Sequence, residues 1–85
     1  MKIHLTKHAQ EKFAVLARHG IHLTLKKVLT VVQTPQKLDY SRLPQLIAQG
    51  DLGKSHVLCV IYKEEQGRII IITFYPGRKS QYEKE

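Results

Sequence analysis

Apolar and polar positions follow two different periods along this chain, and the change comes at Pro35. Before it, Lys2-Ile3-His4-Leu5-Thr6 alternates and predicts a short first strand. In "TKHAQEKFAVLARHG" the apolar residues Ala9, Phe13, Leu16 and Ala17 recur at i, i+4, i+7 and i+8, one stripe of a helix. Thr6 suits its N-cap, Arg18 its last turn and Gly20 its stop. A second helix is predicted within "HLTLKKVLTVVQTP". There Leu25, Val28, Leu29 and Val32 share a stripe, Lys26 and Lys27 point outward, and Pro35 ends the helix. So short a link implies that the helices pack as a hairpin or an open V.

Beyond Pro35 the period shortens. "QKLDY" predicts a short strand, "SRLP" a turn, and "QLIAQGDL" another strand, with Gly50, Asp51, Gly53 and Lys54 marking a loop. Two clearer strands follow, "HVLCVIYKE" (56–64) and "RIIIITFYP" (68–76). A two-residue turn at Gln66-Gly67 makes the numbers of paired residues sum to 133. That register pairs Ile61 with Ile72, Cys59 with Phe74 and Lys63 with Ile70. On the opposite face it pairs Tyr62 with Ile71, Val60 with Thr73 and Leu58 with Tyr75. A one-residue slip would move Tyr62 to the face of Ile70, Ile72 and Phe74. The face of Val57, Cys59, Ile61, Ile70, Ile72 and Phe74 is the expected core beneath the helices. The other face sets His56, Tyr62, Thr73 and Tyr75 among Leu58, Val60, Ile69 and Ile71. It suits a shallow groove or a partner-binding surface.

Composition narrows the partner. A chain of 85 residues builds one small core, so a single domain over 1–85 is expected. Fourteen Lys and Arg stand against seven Asp and Glu, a net charge of +7, which favours an anionic partner over a merely soluble surface. Between Lys2 and Lys37 there are seven basic residues and one acid, Glu11. The longest apolar run, Ile69 to Tyr75, is far shorter than the roughly 20 residues of a membrane span. No signal-peptide pattern opens the chain, so the cytoplasm is the expected compartment and no membrane is expected as a partner. Cys59 is the lone cysteine, which excludes a disulfide framework and suits a small buried hydrophobe.

The order helix, helix, sheet, with the phrases "KHAQEKF", "HGI", "VLTVVQTP" and "VIYKEEQGRIIIITFYPGRKSQYEK", resembles a family of short bacterial domains related to the BrnT toxins. Those are similar in turn to the wider RelE/ParE-like group of toxin–antitoxin proteins. The resemblance spans most of the chain. Its most specific parts are His8-Ala9, Gly20-Ile21, and Ile72-Thr73-Phe74-Tyr75-Pro76 followed by Arg78 and Tyr82. Lys12 and His19 stand where the family commonly carries arginine. The resemblance implies an α+β fold, with two N-terminal helices packed on a twisted antiparallel sheet. It also implies two functions. RelE-like members bind and cleave RNA on the sheet face and its C-terminal edge, whereas ParE-like members act by binding a protein without nuclease chemistry.

Metal-independent RNA cleavage needs a base for the 2′-hydroxyl, a positive group on the phosphate and an acid for the leaving oxygen. The resemblance implies that Arg, Lys and Tyr supply much of this. The candidate catalytic residues are therefore His56, Tyr62, Tyr75, Arg78 and Tyr82. Lys63, Arg68 and Lys79 are candidate RNA contacts, and His8 is an accessory candidate. Neither a cofactor nor a metal is expected. His4 and His8 are split by a strand–helix junction, and His19 and His22 straddle Gly20-Ile21, so neither pair has ligand spacing. No Gly-rich phosphate loop, Cys-x-x-Cys, serine elbow or spaced carboxylate pair is present. The expected partners are RNA, including ribosome-associated mRNA, and an acidic antitoxin. The alternative on the same fold is a non-catalytic, protein-binding module. A stand-alone nucleic-acid-binding domain is a third.

Overall fold

The structure, a computed structural model, describes residues 2–82, with side chains through Ser80. The elements are β1 (Lys2–Leu5), α1 (Lys7–Arg18), α2 (Leu25–Gln33), β2 (Lys37–Arg42), β3 (Gln45–Asp51), β4 (His56–Glu65), β5 (Arg68–Arg78) and the single turn α3 (Lys79–Tyr82). The fold is α+β. Its five strands form one sheet in the order β1-β5-β4-β3-β2. Helix α1 rests on β5 and β1, and α2 on β3 and β4. Both helices are thus anchored to the sheet rather than to each other. The expected antiparallel sheet is in fact mixed: β1 runs parallel to β5, and the other three pairings are antiparallel. Because β1 leads into a helix instead of a tight turn, nothing forces it to pair antiparallel.

Thr6 joins three elements. Its Oγ1 accepts from the Ala9 amide at 3.1 Å and so caps α1, while its hydroxyl donates to the Ile72 carbonyl at 2.9 Å. Its amide continues the ladder by donating to Ile71 O at 3.0 Å. Thr6→Ala is therefore expected to destabilise the protein by about 1–2 kcal/mol, and Thr6→Ser by much less. Urea unfolding checks this; equal losses for the two variants would deny the hydroxyl its role.

The other end of α1 closes on glycine. The Gly20 amide donates to Ala17 O and the Ile21 amide to Leu16 O, both at 3.0 Å, with Gly20 at φ 81°. This is a Schellman closure, which needs the left-handed conformation that glycine adopts without strain. In α2, capped by Thr24, the buried residues are Val28, Val31 and Val32. Leu25, expected in the stripe, is 47% exposed. Val31 takes over because it presses on Gly50, where an added Cβ would lie 3.0 Å from Val31 Cγ2. Gly50 is thus a strand residue of β3 that admits the helix, not the loop residue its type suggests.

The β4–β5 hairpin turns at Gln66-Gly67 as expected, both with positive φ. The pairs Glu65–Arg68, Glu64–Ile69, Lys63–Ile70 and Tyr62–Ile71 keep the expected register. The register then shifts by one, and Ile61 pairs with Thr73, Val60 with Phe74 and Cys59 with Tyr75. Ile72 is left as the extra residue of a β-bulge. The expected faces are corrected accordingly. Leu58, Val60, Tyr62, Ile71 and Phe74 lie beneath the helices, buried with Ala9, Leu16, Val28 and Ala48. Val57, Cys59, Ile61, Thr73 and Tyr75 belong to the face that carries no helix. The bulge is what lets Ile71 and Phe74, three residues apart, both be fully buried. Phe74 stacks on Phe13 of α1, ring centroids 4.7 Å apart and tilted by 55°.

Past the bulge β5 continues to Arg78, beyond the expected end at Pro76. Pro76 is tolerated there because β1 pairs only with Arg68 to Ile71, so no neighbour needs the missing amide on that side.

Candidate functional site

The register shift brings His56, the first residue of β4, directly opposite Arg78, the last of β5. Lys79 follows, and its amide donates to Ser55 O at 2.9 Å, which holds the start of α3 against the start of β4. Ser55, His56, Arg78, Lys79 and Ser80 line an open concavity of about 420 Å³. His56 and Arg78 are exposed and Lys79 is half-buried. Ser55 Oγ lies 3.0 Å from His56 Nδ1. In the tautomer in which Nδ1–H donates to Ser55, Nε2 keeps its lone pair and can take a proton.

Asp51 fixes the cationic side of this cluster. Its Oδ1 is 3.1 Å from Lys79 Nζ, and Gln36 Nε2 donates to its Oδ2 at 3.0 Å. The Gln36 hydrogen bond, followed by that of Lys79, lowers the Asp51 carboxyl below its ordinary 3.8. A carboxyl lowered by folding adds stability that is complete above the unfolded value. That stability is lost as pH falls through the lower folded value, so this latch opens only in acid. Lys79 is held in place by one carboxylate, and Arg78 beside it faces solvent. An anion entering the concavity therefore meets a guanidinium, an ammonium, two hydroxyls and an imidazole.

A second concavity, about 670 Å³, opens on the helix-free face. Its floor is a cross-strand row running Lys37, Gln49, Cys59, Tyr75 from β2 to β5. Asp39, Arg42 and Ile47 complete its lining. Burial pushes the Cys59 thiol up, and a hydrogen bond with Tyr75 offsets this in part. Cys59 is only 1% exposed, so its alkylation at neutral pH is expected to be at least about tenfold slower in the native protein than in urea. Equal rates would mean that the groove floor is open.

The expected site residues divide. His56, Arg78 and Lys79 come together. Tyr75 lies on the helix-free face and lines the second concavity. Tyr62 does not share that face, correcting the expected Tyr62–Tyr75 pair: it is 4% exposed beneath the helices. Burial, with smaller contributions from Glu64 and Tyr40, raises its phenol, which suits a core residue rather than a proton donor. Lys63 and Arg68 sit at the hairpin end, roughly 23 Å and 30 Å from His56 at about 3.3 Å per residue of β4, Arg68 being opposite Glu65. Lys63 is bridged there to Glu65 at 3.0 Å. His8 is exposed on the first turn of α1 and lines neither concavity. Tyr82 ends α3, and its side chain lies outside the described residues. Among the described residues no three of His, Cys, Asp and Glu are grouped to hold a metal ion, and no helix is long and apolar enough to cross a membrane.

Ser55, Asp51 and Gln36 were missed by residue type. Ser55 was within reach of the hairpin register, which places the residue before β4 beside the end of β5. The Asp51–Gln36 contact leaves no such trace. Comparison with known protein families, characterised proteins and solved structures finds no match.

Proposed function

We propose that this chain is an RNA-binding domain with metal-independent ribonuclease activity, a toxin of RelE/BrnT-like fold whose reacting end is the His56–Arg78 edge of the sheet. The observation that carries the reading is the cross-strand pairing of His56 with Arg78, with Lys79 anchored beside them. The net charge of +7 supports a polyanionic substrate. In the reaction, His56 Nε2 takes the proton of a ribose 2′-hydroxyl, whose oxygen attacks the adjacent phosphorus. The bond to O5′ breaks, leaving a 2′,3′-cyclic phosphate, and the departing O5′ takes a proton from water. Arg78 and Lys79 balance the charge that builds on the phosphate oxygens.

Incubating the protein with mRNA at stoichiometric ratio, with and without ribosomes, tests this. The expected products are fragments ending in cyclic phosphate. RNA left intact in both arms overturns the nuclease reading. If RNA affinity still falls steeply with salt, a binding domain remains.

A second reading is a non-catalytic module that docks an acidic protein such as an antitoxin. It is favoured by the half-buried Ile47, Ile61, Ile70 and Tyr75, which share a sheet face without a covering helix. It requires Tyr75→Ala, on that face, to weaken partner binding while RNA in the expressing cell stays whole.

A further inference from the structure

A third concavity, about 290 Å³, lies on the helix side of the same sheet end. Its apolar surface comes from Ile21 and Leu23 of the α1–α2 link, Leu52 of the β3–β4 loop and Pro76 of β5. Two imidazoles, His22 and His56, complete it. His56 also lines the anion-binding concavity of Arg78 and Lys79, so the two hollows meet at that residue. Pro76 and Arg78 are two residues apart on β5, on one face and roughly 6–7 Å from each other, a span that one sugar bridges.

We propose that this crevice receives a nucleobase, the one attached to the phosphate held by Arg78 and Lys79, and that His22, Leu23 and Leu52 set base preference. The inference rests on the RNA reading above. Three features select a base over other occupants. The volume lies just under the roughly 300–1,000 Å³ of small-molecule sites, which gives room for one ring system and no more. An apolar floor with imidazole walls suits a flat π-face, since histidine is among the side chains on which unpaired bases stack. The neighbouring hollow is cationic, so the occupant must carry a negative group one sugar away from its flat part. A nucleoside monophosphate unit meets all three conditions, whereas an apolar side chain of a protein lacks the fixed anion.

Amide NMR titrations of the full chain with inorganic phosphate, uridine 3′-monophosphate and adenosine 3′-monophosphate test this. Inorganic phosphate is expected to shift the Ser55, His56, Arg78 and Lys79 amides only. The nucleotides are expected to shift those and also Gly20 to Leu23 and Leu52, and to bind about tenfold more tightly than phosphate. Leu52→Ala and the exposed-site variant His22→Ala should each shrink that margin without changing phosphate affinity. Nucleotides and phosphate that bind equally, with the same shifts, overturn the crevice. RNA cleavage alongside such base-blind binding would sink the crevice alone. Nucleotides seated in the crevice without RNA cleavage would support it and sink the nuclease reading alone.

Discussion

His56→Ala is expected to slow RNA cleavage by roughly 10²–10⁴-fold, the usual loss when a positioned general base is removed. The side chain is exposed and is no part of the core, so thermal unfolding should be unchanged. RNA affinity should fall far less than the rate, because the phosphate contacts come from Arg78 and Lys79 and only one wall of the base crevice is lost. Arg78→Ala is expected to differ in kind, weakening both affinity and rate. Arg78→Lys should recover only part of either, since an ammonium lacks the two-pronged grip of guanidinium on a phosphate. Tyr75→Phe makes the useful contrast. Its hydroxyl serves the groove on the opposite face, so cleavage should change by no more than about threefold, less than 1 kcal/mol of barrier. Single-turnover cleavage of one defined RNA, with binding measured separately, distinguishes these outcomes. Wild-type cleavage by His56→Ala would remove His56 as the base, and a large loss in Tyr75→Phe would move the chemistry to the helix-free face.

What makes the His56–Arg78 pair is the bulge at Ile72, and that is also where the sequence stops being readable. The hairpin turn at Gln66-Gly67 and the first four pairs of β4 with β5 follow from turn chemistry alone. Continued without interruption, that register would set His56 opposite Gly77. The extra residue brings Arg78 there instead. Ile69 to Ile72 are four identical side chains, so no alternation marks where one of them is looped out. On β4, Val57 to Val60 are all buried, which removes the alternation from that strand as well. The caps at Thr6 and Thr24 and the stop at Gly20 were legible because each rests on a local conformational rule. The parallel seat of β1, the approach of Val31 to Gly50 and the hold of Asp51 on Lys79 depend on residues distant in the chain. No local rule reaches them.

The bulge makes a second demand, on stability. Phe74→Ala is expected to cost about 3–5 kcal/mol, a large share of the 5–15 kcal/mol typical of a folded domain. The ring is fully buried and stands 4.7 Å from that of Phe13, so truncation opens a cavity between α1 and β5 that neither element can close. The α1 surface there is fixed at one end by the Thr6 cap and at the other by the Gly20 closure, which limits collapse. Thr73→Ala, one residue away on the helix-free face, should cost less than about 1 kcal/mol. Phe13→Leu combined with Phe74→Leu should show a coupling of about 0.5–1.5 kcal/mol in a double-mutant cycle, the worth of a tilted aromatic pair. Urea unfolding of the set measures all three. A Phe74→Ala cost under about 1.5 kcal/mol, or no coupling to Phe13, would place Phe74 outside the helix-covered core. It would also undo the register that sets Arg78 against His56.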